Sequence, residues 1–420
     1  MKTLLFLFLL IPSLSWGLTF KNGESINVTV DDNYLISKPG ILFISPEELK
    51  SKIRKSKDLN SVCDEERFAS YEDPTFKADK SYRGMQITDK LFEQFNPLFK
   101  KYCLLIVNEI KNDQKKYQEI KNEIHNLFIY LAETDYLLNF HKDPDDTDHA
   151  YATSITATPL LFVYSQIRND FDNDNKSKID QMFINLINKN KYGLNIAVGE
   201  NSSYGNHGFY NNNIRLLVSI LTNNEEMFKK SVSYFFKQME LNQTYNGLFK
   251  FDSKRGQCAL HYNLHGFSPI MSTIWNLNIQ NIKLTNVKIN GKHTLDEIVS
   301  TLIDSVNDPK IVIKTNKSLG YNKSGIKTCW EAEKIKFGND EIVLPYTSQI
   351  WFAPYYSLTN NKENYEKFSK SSLPKLFKYK GRDDANLVSY FHKFIYLDNE
   401  MNFIEFEDTF EKITLDDLEF

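Results

Sequence analysis

Two short segments of the 420-residue chain gather side chains that can move protons and hold anions. The first is Tyr204-Gly205-Asn206-His207-Gly208-Phe209-Tyr210-Asn211, a Gly/Asn-rich turn before a helix expected to start near Tyr210. Polar side chains and unpaired backbone N–H groups converge at a helix start, and that combination attracts anions. Asn206 and His207 are the candidates there. The segment equally fits a plainer role, in which Asn206 caps the helix and His207 packs in the core. The second segment runs from Lys254 through Arg255, Gly256, Cys258, His261 and Tyr262 to His265. Arg255 and Tyr262 are seven residues apart, nearly two helical turns, so in a helix they share a face. A guanidinium beside a phenol favours the phenolate, which suits the tyrosine to proton transfer. An ordinary cation–aromatic contact has the same spacing, and Gly256 weakens the helix.

His261 and His265, four apart, have the spacing of a metal pair. The residue after His261 is Tyr262, so no HExxH motif is present, and no metal site is expected. The four cysteines, Cys63, Cys103, Cys258 and Cys329, form no CxxC pair, which argues against zinc. In an exported chain they can form disulfides. A Cys63–Cys103 bridge is predicted. For the other two, a second bridge and a buried free thiol at Cys258 both stay open.

Helices must position these segments. Tyr117, Ile120, Ile124, Leu127, Phe128 and Leu131 fall on one helical face, as do Ile179, Met182, Phe183, Leu186 and Ile187. Ile214, Leu217, Val218 and Leu221 repeat the pattern, followed by Phe228, Val232, Phe235, Phe236 and Met239. Further helices are expected near 90–110, 153–168, 269–279, 294–306, 324–336 and 345–358. Short connections make successive helices antiparallel neighbours. Only residues 18–45 differ: Ile26-Asn27-Val28-Thr29-Val30 alternates like a strand and predicts a β arm. The expected organisation is a leader at 1–17, an extended or β arm at 18–45, a helical body at 46–375 and a tail at 376–420, acidic near its end.

Lys2, the apolar run Leu4–Ile11 and Ser15-Trp16-Gly17 read as a signal peptide, too short to span a bilayer. No other segment predicts a membrane span. A periplasmic or secreted location is therefore expected. Net charge is −3, which argues against a nucleic-acid partner but permits a polyanionic one, since only a cleft need be positive.

Taken together, the two segments resemble the alginate (polymannuronate) lyase family. That family carries an Asn-Asn-His-x-Tyr-Trp stretch and, further on, Arg-x-x-Arg-Ala-Leu-x-Tyr followed by a Pro-containing helix. Here these read Gly205-Asn206-His207-Gly208-Phe209-Tyr210 and Arg255-Gly256-Gln257-Cys258-Ala259-Leu260-His261-Tyr262. Trp351-Phe352-Ala353-Pro354-Tyr355 is similar to an aromatic–proline stretch near the family's C-terminus. Gly205 replaces the family's first Asn, Phe209-Tyr210 replaces Tyr-Trp, and Cys258 replaces the second Arg.

The resemblance implies an all-α fold, an incomplete (α/α) toroid, and an endo-acting, monomeric lyase that needs no cofactor. Its substrate would be an anionic 4-linked uronate polysaccharide, cleaved by β-elimination. It assigns catalysis to Asn206, His207, Arg255 and Tyr262. Tyr210, His261, Trp351 and Tyr355 become candidate sugar contacts, and Lys80, Tyr82 and Arg83 a candidate lid. Two other classes compete with this reading: a non-catalytic glycan-binding protein on the same scaffold, and a helical-toroid glycoside hydrolase using Asp252 and Glu333. No motif supports that carboxylate pair, and binding alone does not require the His207, Arg255 and Tyr262 constellation.

Overall fold

Ile124, Phe128 and Leu131, spaced for one helical face, are all fully buried on the helix that carries them. The structure is a computed structural model describing residues 15–19, 25–56, 58–59, 62–63, 85–139, 147–189, 205–320, 334–337, 340–343, 349–374 and 391–396. Its first half comprises β1 (Ser15–Thr19), β2 (Ser25–Thr29), α1 (Pro46–Arg54), α2 (Met85–Ile110), α3 (Gln114–Glu133), α4 (Tyr136–Asn139), α5 (Thr147–Ile167) and α6 (Asn173–Lys189). The middle holds α7 (Asn206–Thr222), α8 (Glu225–Leu241), α9 (Lys250–Ser253), α10 (Ala259–His265), α11 (Phe267–Ile279), α12 (Leu295–Asn307) and α13 (Lys310–Ser318). Then follow β3 (Lys334–Phe337), β4 (Asp340–Val343), α14 (Phe352–Thr359), α15 (Lys362–Ser369) and α16 (His392–Ile395).

The fold is all-α, an (α/α) toroid of helical hairpins. Helix α2 packs on α3 and α5, α3 on α6, α5 on α7, and α7 on α8 and α11. Helix α5 is buried continuously from Tyr151 to Ser165, and α7 from Gly208 to Leu221. Helices buried on every side belong to the inner layer. By contrast α3 buries one stripe and belongs to the outer layer.

The inner helices are rich in polar residues, and several of these pair across helices. The Asn212 amide donates to the Ser231 carbonyl, and Asn213 bridges Thr158 and Thr273. Ahead of the helices, residues 31–45 cross the toroid as an extended strap. Its backbone is satisfied by side chains: Asn276 Oδ1 accepts the Phe43 N–H at 2.9 Å, and Trp275 donates to the Phe43 carbonyl at 2.8 Å. Gln166 donates to the Ile44 carbonyl, and Gln280 accepts the Lys38 N–H.

Several expectations change. Residues 334–336, expected helical, form β3, which pairs antiparallel with β4. The alternation Lys334-Ile335-Lys336-Phe337 explains it, and Ile342 of the partner strand is buried. The helix expected from 345 starts at Phe352, with Pro354 in its first turn, where proline is tolerated. In the arm, β1 and β2 form the expected hairpin, beginning at Ser15, inside the expected leader. Residues 391–396 of the expected tail dock on the core, with Tyr396 edge-on to Trp275. The predicted Cys63–Cys103 disulfide is present. Cys258 is also disulfide-bonded, so it is not a free thiol. The remaining cysteine, Cys329, lies outside the described residues. Among the described residues no helix is long and apolar enough to cross a membrane.

Candidate active site

Several described helix starts carry their own side-chain cap. Ser45 caps α1, Asp113 caps α3, Asn224 caps α8 and Thr294 closes a capping box with Glu297 on α12. Helix α7 does not, because its N-cap is Gly205. Asn206 is its first residue, buried, and its Oδ1 accepts the His207 N–H at 2.8 Å. That leaves the Asn206 amide N–H₂ as the donor end of the side chain.

Asp252 stands at this bare helix end. Its carboxylate accepts the Asn206 backbone N–H and the Asn242 side chain. Burial pushes it up to about 7, against the opposing pull of Arg255, the Asn206 N–H and Asn242. Gly266 packs opposite: a Cβ there would lie 3.3 Å from Asn206 Cβ and 3.4 Å from Asp252 Oδ2.

Arg255 and Tyr262 do meet, though not along one helix. Gly256 has φ +60° and breaks the segment into a 3₁₀ turn at Gly256–Cys258 followed by α10. The Arg255 guanidinium then lies over the Tyr262 ring, 4.0 Å from its centroid. The Cys258 disulfide anchors this turn, and the β3–β4 hairpin packs on it.

His207 is partly buried beside them. Its ring stacks on Tyr151 of α5, centroids 4.4 Å apart and planes 18° apart. The Tyr151 hydroxyl bonds His265 Nε2 at 2.6 Å, and the His265 ring lies 6.4 Å from that of Tyr262. Burial lowers the His207 imidazole to about 3, and the charges of Arg255 and His265 push the same way. His207 is therefore neutral at physiological pH. Asn206, Asp252, Arg255, Tyr262, His265, Tyr151 and His207 form a closed circuit of neighbours.

Four expected sugar contacts are placed differently. Tyr210 is fully buried with its hydroxyl 3.3 Å from His265 Nε2, because it sits on the inner face of α7. His261 is buried and stacked on His265 one turn along α10, so the pair faces inward while Tyr262 does not. Trp351 and Tyr355 are fully buried. Trp351 packs edge-on to Phe267, and the Tyr355 hydroxyl donates to Asp296 at 2.6 Å. All four are interior supports rather than cleft surfaces. Lys80, Tyr82, Arg83 and Glu333 lie outside the described residues. Sequence reasoning missed Tyr151, which carries no motif, and underrated Asp252, three residues before Arg255. Among the described residues no group of three or more His, Cys, Asp or Glu side chains is arranged to hold a metal ion.

Within this helical toroid, Asn206, His207, Arg255 and Tyr262 gather near the start of one helix. Residues 111–312 match the alginate lyase family, and this stretch contains both motif segments. The fold is similar to alginate lyase A1-III from Sphingomonas species A1 at 13% identity and a TM-score of 0.55, covering 78% of this chain and 90% of that one. It is also similar to a histidine-to-alanine variant of alginate lyase A1-III complexed with tetrasaccharide, at 14% identity, TM-score 0.55, and coverage of 78% and 89%. A tyrosine-to-phenylalanine variant complexed with tetrasaccharide gives 13% identity, TM-score 0.51, and coverage of 78% and 89%. No curated protein matches at a significant level.

Proposed function

We propose that this chain is an exported, monomeric lyase that cleaves 4-linked uronate polymers by β-elimination at the Asn206, His207, Arg255 and Tyr262 cluster. The observation that carries the reading is the Arg255 guanidinium held 4.0 Å over the Tyr262 ring. A half-buried cation beside a phenol serves proton abstraction next to a carboxylate better than it serves glycan stacking.

The difficulty of the reaction is the C5 proton, which lies α to a carboxylate whose charge opposes carbanion formation. Asn206 and Arg255 neutralise that carboxylate with charge-assisted hydrogen bonds. Tyr262 takes the C5 proton, the C5–H electron pair becomes the C4–C5 double bond, and the C4–O4 bond breaks. The proton then passes from Tyr262 to the departing O4. His207, neutral and partly buried, shares the carboxylate contact and can accept a proton from the other sugar face. The signal peptide read at residues 1–17 and the family's substrates support export and a uronate polymer. Alginate-type and glucuronate polymers should be incubated with the protein and followed for the absorbance of the unsaturated uronide. Reducing ends without that absorbance would mean hydrolysis, and neither signal on any polymer would mean binding alone.

A further inference from the structure

We propose that Asp252 is a positioning residue for this site, a buried carboxylate that caps the helix bearing Asn206 and His207 and aligns Arg255, joining the two motif segments. The inference rests on the reading given above. Its ground is geometric. Helix α7 begins at a glycine N-cap that has no side chain to satisfy the first N–H groups. The Asp252 carboxylate, from α9, accepts one of them, the backbone N–H of Asn206.

Every element packed on this carboxylate has a defined part. From α7 comes the Asn206 N–H, and from the end of α8 the Asn242 side chain. From its own loop comes the Arg255 charge, the one charged group acting on it among the described residues. From the start of α11 comes Gly266, whose missing Cβ leaves room for Oδ2.

Stability alone does not account for this arrangement. Asp252 Oδ2 is buried with no hydrogen-bond partner, and a half-satisfied buried carboxylate is costly. A serine at position 205 would cap α7 without burying a charge. A carboxylate instead adds a field that draws Arg255 toward the helix start, where a substrate carboxylate must be met by Arg255 and Asn206 together. Its elevated ionisation, near neutrality, makes that pull sensitive to pH.

The test compares Asp252→Ala and Asp252→Asn in the full chain. Asp252→Ala should lower kcat by about 30- to 100-fold, the order of effect a small misplacement produces, while oligouronate affinity changes by less than about threefold. Asp252→Asn keeps an acceptor for the Asn206 N–H and should recover about tenfold of that loss. It should also lose an acid limb of kcat/KM near pH 7 that the wild type shows, a window in which neutral His207 does not titrate. A folded Asp252→Ala with kcat within about threefold of wild type overturns the proposal. So does an Asp252→Asn variant that keeps the limb, and this second result decides alone if Asp252→Ala does not fold. Should the wild type make no unsaturated product from any uronate polymer, the functional reading fails by itself. Hydrogen exchange at the Asn206 amide then decides on Asp252: protection should drop about tenfold or more in either variant that loses the bond, and unchanged protection in Asp252→Ala overturns the capping role.

Discussion

Tyr262 bears the proton chemistry of the proposed reaction, so its hydroxyl is the most informative atom to remove. Tyr262→Phe keeps the ring beneath the Arg255 guanidinium. Oligouronate affinity should change little while kcat falls by about 10²–10⁴, the usual worth of a positioned acid or base. Near-normal turnover would move the proton transfer to His207. His207 itself makes a stability prediction. Its folded value of about 3 lies below the ordinary histidine value of about 6.5, so as pH falls the unfolded chain takes up the proton first. Its contribution is fully present above about pH 6.5 and is lost progressively toward pH 3. Between pH 8 and pH 5 the wild type should therefore lose more denaturation free energy than His207→Gln. Equal losses would detach His207 from the acid sensitivity. Asp252 has the opposite sign but is common to both proteins, so it cancels in the comparison. At this scale the sequence displayed Asn206, His207, Arg255 and Tyr262, because each sits inside a short motif. Tyr151 was not legible, since its contact with His207 joins helices far apart in the chain. Trp351 and Tyr355 were misjudged for a related reason: an aromatic–proline run looks the same whether its rings line a cleft or fill a core.

Helix register was largely readable, because an apolar stripe has to recur every three or four residues wherever a helix packs. Junctions were not. The Arg255–Tyr262 pair was anticipated from a seven-residue helical spacing, yet the positive φ of Gly256 breaks that helix and a tertiary turn makes the contact. Residues 334–336 of β3 were read as helix because part of a four-residue alternation also satisfies a helical template. The junction between α10 and α11 is closely packed at Gly266. Gly266 has φ −65°, a conformation any residue adopts, so the demand there is space alone. A methyl group would lie 3.1 Å from the Tyr262 carbonyl oxygen and 3.3 Å from Asn206 Cβ. Gly266→Ala should shift Asn206 by a few tenths of an ångström. The expected cost is about 1–3 kcal/mol of stability and roughly tenfold in kcat/KM. Denaturation midpoints and steady-state kinetics measure both, and wild-type kcat/KM in the variant would show that the junction yields without disturbing Asn206.

At the scale of the whole molecule, a strap and a disulfide among the described residues fasten the helices beyond their hairpin packing. The strap at residues 31–45 is tied to α5 and α11 through the side chains of Gln166, Trp275 and Asn276, and to α7 through the Ile220 carbonyl. That this segment leaves the helical pattern was legible in the sequence, but it runs through turns and bends instead of a strand, and its anchoring partners were not legible, since they lie more than a hundred positions away. The second fastening is the Cys63–Cys103 disulfide, which joins the chain after α1 to the middle of α2 across a separation of 40 residues. Cross-linking a loop of that length removes unfolded-state entropy worth about 4 kcal/mol in the chain-entropy model. The native placement of α2 has independent support from its packing on α3 and α5. A Cys63→Ser, Cys103→Ser double variant should therefore fold to the same structure with a markedly lower denaturation midpoint. Substitution is the proper test, because a reductant would also open the Cys258 disulfide at the site. Activity separates the two bridges. The double variant should keep wild-type kcat well below its melting temperature, since α2 contributes none of the residues around Asn206, Arg255 and Tyr262. Reduction of the wild type should lower kcat as well as stability, by freeing the 3₁₀ turn that presents Arg255 to Tyr262. A double variant as stable as wild type would remove the entropic role of Cys63–Cys103. A reduced protein of unchanged kcat would show that the turn holds its shape through packing against the β3–β4 hairpin alone.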